Sequence, residues 1–148
     1  LPMRLSQKTD YGLHALLELA RRYGQGPVQS SEIATRRQIP AQFLQQILLS
    51  LRHAGLLHSG RGPRGGHLLA RRPEEIALLE AVEALEGSTS PAPCTDPQTV
   101  ACPEREHCVL RDVLEQIDAA TRAILKGTTL ADLVRAEEER EAAPMYYI

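Results

Sequence analysis

The cysteines of the chain, Cys94, Cys102 and Cys108, all fall in one proline-broken segment with the spacing C-x7-C-x5-C. An odd number of thiols cannot pair off completely into disulfides. Clustered thiols in a chain with no other cysteine mark a metal or redox site more often than a covalent staple. Zinc ribbons and knuckles carry closely spaced cysteine pairs, and this segment has none. The wide spacing suits an iron–sulfur cluster, which is larger than a single zinc ion, and leaves a coordination position for another group. A thiol switch, or structural zinc completed by His107, satisfies the same residues. The bland alternative, three small buried side chains, fits poorly with a polar, proline-rich loop.

A second chemistry sits upstream. The tract Ser59-Gly60-Arg61-Gly62-Pro63-Arg64-Gly65-Gly66 places two arginines among glycines and a proline. Glycines admit close backbone approach and positive φ. Arginines can neutralise phosphates or enter a narrow minor groove. A phosphate-binding loop would continue into a helix opening on Lys-Ser/Thr, which is missing here. Just before this tract, Ala41, Gln42, Gln45 and Gln46 fall near the start of a helical stretch, and glutamine amides can read adenine edges in the major groove. Ser31 joins this set of candidate DNA contacts, with Ser59, Arg61, Gly62, Pro63 and Arg64 from the turn.

These residues need elements to hold them. Apolar spacing predicts a helix from Ser6 to about Tyr23, carrying Leu13, Leu16, Leu17 and Ala20 on one face. A short helix capped by Ser30 or Ser31 follows, then a turn at Gln38-Ile39. Pro40 fits the first position of a third helix with a stripe of Leu44, Ile47, Leu48 and Leu51. Helix, short turn and helix form a helix-turn-helix, and strands at residues 55–59 and 67–70 around the glycine-rich turn form a wing. A fourth helix is expected from Pro73 to Gly87. Residues 88–108 read as a loop, long enough that function is its ordinary explanation. A long helix from Val109 to Lys126 carries Leu110, Val113, Leu114, Ile117, Thr121, Ile124 and Leu125, a stripe that predicts a dimer contact. A short helix begins near Thr129, and the acidic tail from residue 137 is expected to fray.

The net charge of −2 conceals a split: +8 over residues 1–72 and −10 over residues 73–148. Nucleic-acid binding depends on the local field, so a near-neutral total does not exclude it. No apolar run is long enough to span a membrane. No signal peptide is expected, since Leu1 to Leu5 run straight into the helical pattern, and a cytoplasmic location follows, where thiols stay reduced. No nucleophile–base constellation is present, and His53, His58, His67 and His107 lack a catalytic partner motif, so an enzyme is not expected. A redox protein that does not bind DNA is disfavoured by the glutamine-rich helix and the Arg-Gly turn.

The opening Met3-Arg4-Leu5-Ser6 and Lys8-Thr9-Asp10-Tyr11-Gly12-Leu13 resemble the IscR/NsrR family of winged-helix regulators, also called the Rrf-two family. So do Ser31-Glu32-Ile33-Ala34, Ile39-Pro40, Leu51-Arg52-His53-Ala54-Gly55-Leu56 and the turn from Ser59 to Gly66. Cys102-Pro103, Cys108-Val109-Leu110-Arg111 and Thr129-Leu130-Ala131-Asp132-Leu133 extend the likeness over residues 3–135. The residue patterns, with the resemblance beside them, lead us to expect a mainly α fold: a winged helix-turn-helix domain over 3–87, a cluster-binding loop over 88–108, a dimerisation helix and C-terminal helix over 109–136, and a flexible tail over 137–148. The resemblance implies a homodimeric bacterial transcription factor on a palindromic double-stranded operator, sensing iron–sulfur status, nitric oxide or redox state through a 2Fe-2S or 4Fe-4S cluster. IscR-like members place a histidine three residues after the last cysteine, where this chain has Arg111. NsrR-like members use an aspartate of the first helix from the other subunit, and Asp10 matches it. His14 matches a histidine one turn further on that some redox-sensing relatives use.

Overall fold

The computed structural model describes residues 4–62, 65–87 and 108–143. These form α1 (Gln7–Arg21), α2 (Ser30–Arg37), α3 (Ala41–His53), β1 (Leu57–Gly60), β2 (Gly66–Leu69), a 3-10 turn (Pro73–Glu75), α4 (Leu78–Glu86), α5 (Val109–Gly127) and α6 (Leu130–Ala142). The expected mainly helical winged-helix class is what the chain adopts.

α1 starts where the Ser6 hydroxyl accepts the Thr9 N–H at 3.2 Å. Thr9, Gly12, Leu16, Leu19 and Ala20 are buried along one face, the period of a helix packed on a core. Gly12 permits the contact with α4: a Cβ there would stand 2.4 Å from Leu85 Cδ1. The expected stripe of α3, Leu44, Ile47, Leu48 and Leu51, is buried as a unit. With Leu16, Ile33, Leu56, Ile76 and Leu130 it builds an aliphatic core, consistent with a chain of 3% aromatic residues.

Several expected boundaries move, each for a physical reason. Neither Ser30 nor Ser31 caps α2; Gln29 occupies that position and its amide instead donates to the Gly65 carbonyl in the hairpin. Pro40 lies just outside α3, in extended conformation, rather than at its first turn. Pro73 opens the 3-10 turn and not α4. Ile76 and Ala77 are drawn out into an extended connection, where Leu78 N donates to Thr128 O (2.7 Å) and Leu130 N to Ile76 O (3.0 Å). The hairpin pairs Leu57 with Leu69 and Gly60 with Gly66, and gains a third partner. Val28 and His67 exchange backbone hydrogen bonds of 3.0 and 2.8 Å. A Cβ on Gly66, whose φ is +152°, would come 2.8 Å from Val28 O, so glycine is needed for that approach.

The turn between α2 and α3 holds Gln38 at φ 53°, the one non-glycine in the left-handed region among the described residues. That conformation costs a side chain about 1–2 kcal/mol, and glycine avoids it at the expense of greater freedom in the unfolded chain. Gln38→Gly is therefore expected to raise unfolding stability by about 0.5–1 kcal/mol, read from a shifted denaturant midpoint at constant slope.

The acidic C-terminal segment does not fray at residue 137; α6 continues to Ala142. Glu137 accepts from Arg37 at 2.6 Å, and Arg21 holds Glu141 in a two-pronged pair of 2.6 and 2.7 Å. Glu18, buried in α1, accepts a hydrogen bond from Arg37 (3.0 Å) and forms an ion pair with Arg22 (3.1 Å). Much of the basic N-terminal half is therefore neutralised internally, and its +8 balance overstates the charge offered to a partner. Among the described residues Arg52 and Arg61 enter no ion pair.

Candidate functional site

α3 turns its buried stripe inward and leaves Ala41, Gln42, Gln45 and Gln46 exposed. Gln45 Nε2 lies 3.4 Å from Ser30 Oγ, so its amide spans from α3 to the first turn of α2, where Ser31 is also exposed. The hairpin stands beside α3, and between them runs an open groove lined by Gln45, Gln46, Leu48, Leu49, Arg52, Ser59 and His67. Three of the expected contacts, Gln45, Gln46 and Ser59, thus share one concave surface. Arg61 and Gly62 lie exposed at the hairpin tip. Pro63, Arg64, Cys94, Cys102 and His107 lie outside the described residues.

The groove contains residues not anticipated from sequence. Arg52 and Leu49 follow Gln45 at helical spacing, so the period that marks the buried stripe also marks this face. Arg52 supplies a cation there. His67 carried no such signal. Its Nδ1 is 2.8 Å from Ser59 Oγ, and burial, then the nearby Arg52 cation, hold its pKa below the ordinary histidine value. Both effects favour the neutral imidazole, which meets the groove through its hydrogen bond with Ser59.

Asp10 and His14 both lie exposed on α1, His14 Nε2 3.7 Å from Asp10 Oδ1. One turn of helix separates them, so two ligand-type side chains project from one face. Cys108 is the residue that caps α5, half-buried and not in a disulfide. Among the described residues no group of metal-ligating side chains is assembled. Glu86 ties these regions together and was not foreseen. Its carboxylate accepts Ser6 N–H (3.1 Å), Ser6 Oγ–H (3.0 Å) and the Thr9 hydroxyl. Burial pushes the Glu86 carboxyl upward, but these hydrogen bonds from Thr9 and Ser6 outweigh it and hold the pKa low. The end of α4, from which the cysteine segment departs, is thereby fastened to the first turn of α1, which contains Asp10.

α5 is the least covered element. None of its residues is fully buried, and Leu110 (65%), Val113 (54%) and Ile124 (69%) stay exposed although the helix packs on α4. Arg122 pairs with Glu83 of α4 at 2.9 Å along the seam.

A helix-turn-helix with a hairpin wing and an appended long helix is a winged-helix architecture, and the proteins it matches are named as transcriptional regulators. The chain belongs to the Rrf2 family, described as an iron-dependent transcriptional regulator, which matches residues 5–136. It is 34% identical to the HTH-type transcriptional regulator CymR of Bacillus subtilis over 146 residues, 99% of this chain and 100% of the relative. The solved structure of CymR, the global cysteine regulator of B. subtilis, superposes with a TM-score of 0.77, covering 90% of this chain and 97% of that one. T. potens IscR, also 34% identical, gives 0.78 over 97% of this chain and 96% of that one. Among the described residues no helix is long and apolar enough to cross a membrane.

Proposed function

We propose that the protein is a homodimeric, cytoplasmic operator-binding regulator, most simply a repressor, whose DNA affinity is set by an iron–sulfur cluster on Cys94, Cys102 and Cys108. The observation that carries this reading is the uncovered apolar face of α5, which begins immediately after Cys108. Two copies of that face can bury each other around a twofold axis, and the same axis presents two α3–wing units to a palindromic operator. Gln42, Gln45 and Gln46 reach base edges, and Ala41 offers its methyl to thymine. Ser31 and Ser59 hydrogen-bond backbone phosphates, and Arg61 and Arg64 neutralise phosphates or enter the minor groove, with Gly62 and Pro63 shaping the tip.

The donor set fits the cluster. Three thiols leave an iron position open, and Arg111 cannot fill it, because its guanidinium stays protonated. Asp10 of the partner subunit is the first choice and His14 the second, both exposed and one turn apart on α1. His107 adjoins Cys108 and is a weaker choice. A bound cluster supplies a group that responds to electrons and small molecules. Asp10 would tie that site to α1, and the Glu86 bonds to Ser6 and Thr9 would carry the tie to α4 and the base of the cysteine segment. A second reading, a thiol switch on the same three cysteines without a cluster, is favoured by the likeness to a global cysteine regulator.

The interface half of the proposal is tested by operator affinity. Arg61→Ala is expected to weaken binding by about 1–3 kcal/mol and to lessen its salt dependence, read by fluorescence anisotropy at several salt concentrations. An unchanged affinity would remove the wing tip from the mechanism.

A further inference from the structure

A second concave site lies where the C-terminal end of α1, the 3-10 turn and α6 meet, lined by Ala20, Arg21, Tyr23, Pro73, Glu74, Ala131, Val134, Arg135 and Glu138. None of these residues belongs to the DNA-reading groove or to the proposed cluster ligands. Its α6 wall is one continuous helical face, since residues 131, 134, 135 and 138 follow the i, i+3, i+4, i+7 spacing. That face is apolar at Ala131 and Val134 and changes to opposite charges at Arg135 and Glu138. Ala20 and Pro73 are buried beneath, so the floor is small and aliphatic.

The charges around this floor are of both signs. Arg21 is held rigidly by its two bonds to Glu141. Arg135 makes one longer contact with Asp132 (3.3 Å) and Glu74 one with Arg72 (3.3 Å), both between exposed groups that solvent screens. Glu138 makes no ion pair among the described residues. A cleft with a small apolar floor, a cation and a carboxylate on one wall, and an aromatic ring at its edge complements a small molecule bearing a carboxylate, an ammonium and a short side chain.

We propose that this cleft binds a free α-amino acid with a small side chain. Arg135 receives its carboxylate, Glu138 its ammonium, and Ala20, Ala131 and Val134 its side chain. Arg21 belongs both to this cleft and to the contact that holds α6 on α1, so an occupant meets the same helix that bears Glu137 and Glu141. None of its lining residues comes from the cysteine segment, and the proposal stands or falls independently of the cluster.

The test is thermal denaturation and titration calorimetry of the full chain with L-alanine, L-serine and L-cysteine, using propionate and ethylamine as single-charge controls. A ligand that binds the folded state alone raises the melting temperature in a saturable way. We expect such a rise with at least one amino acid, and at least about tenfold weaker binding of each control, since each lacks one charged partner. Arg135→Gln and Glu138→Gln should each abolish the rise while leaving the unliganded melting curve in place, because both side chains are exposed. Arg61→Ala should retain it. No saturable binding of any of the three amino acids up to on the order of 10 mM would overturn the proposal, as would binding that survives both cleft variants.

Discussion

Val113→Asp is expected to convert the protein to monomers that remain folded. Val113 is 54% exposed within the protomer, so the new carboxylate meets water there and leaves α5 packed on α4. In the proposed dimer the same position is covered twice, once from each copy. Burying an unpaired charge in an apolar interface costs several kcal/mol, so association should weaken at least about 10²–10³-fold. Sedimentation velocity at micromolar concentration reads the change directly, with far-ultraviolet dichroism as the control for folding. Ile117→Asp is less discriminating, because Ile117 is already half-buried inside the protomer and its loss would disturb the fold as well. A wild type that sediments as a monomer, or a Val113→Asp variant that stays dimeric, would contradict the assignment of α5.

The second large effect concerns the charged clasp between α1, α2 and α6. Arg37, about 10% exposed, is shared by Glu18 and Glu137. Removing it leaves buried Glu18 with Arg22 at 3.1 Å and the more distant Arg36 at 4.0 Å, and breaking such a network costs about 3–5 kcal/mol when fully buried. Glu137 is partly exposed, so Arg37→Ala is expected near the lower end, about 2–4 kcal/mol, measured by chemical denaturation. The clasp also sets a pH dependence. The Arg37 hydrogen bond holds the Glu137 carboxyl below its ordinary range, against the opposing effect of burial. A carboxylate with a lowered folded pKa adds stability that is complete above its unfolded value of about 4.3 and is lost as pH falls through the folded one. Wild type should therefore lose more stability than Glu137→Gln between neutral and acidic pH. Parallel curves for the two proteins would show that Glu137 contributes nothing through its charge.

The clasp shows where sequence reading stopped. Local signals carried far: the 3.6-residue stripe of α3, the start of α1 near Ser6 and the glycine-rich hairpin turn are all written in adjacent residues. Residues paired across long distances were not legible. Glu137 looked like part of a solvated acidic run because Arg37, its partner, is a hundred positions away in the chain. Val28 carried no strand pattern of its own, and only the approach of Gly66 makes it a pairing partner for His67. Pro73 was a sound local helix-start signal, overridden by the pairing of Ala77 with Thr129. At the candidate interface, Gln42, Gln45, Gln46 and Arg61 could be placed from the motif. Arg52 was missed although its spacing from Gln45 was readable, and His67 was missed because its role depends on the fold that brings it beside Ser59. Glu86 was missed for the same reason: its partners, Ser6 and Thr9, belong to the opposite end of the domain.

The central claim, that the three cysteines hold an iron–sulfur cluster which governs DNA binding, is tested most directly on anaerobically purified protein. The measurement is its visible absorption with iron and acid-labile sulfide analysis, made alongside operator affinity before and after cluster removal. The account predicts a coloured protein containing iron and sulfide, loss of most of that absorbance when Cys94, Cys102 or Cys108 is changed to serine, and an operator affinity that differs between the two forms. Asp10→Ala should alter the spectrum and uncouple it from DNA affinity, while Asp96→Ala should do neither. A colourless protein without sulfide, or a triple serine variant that keeps its iron, sulfide and regulated DNA binding, would contradict it.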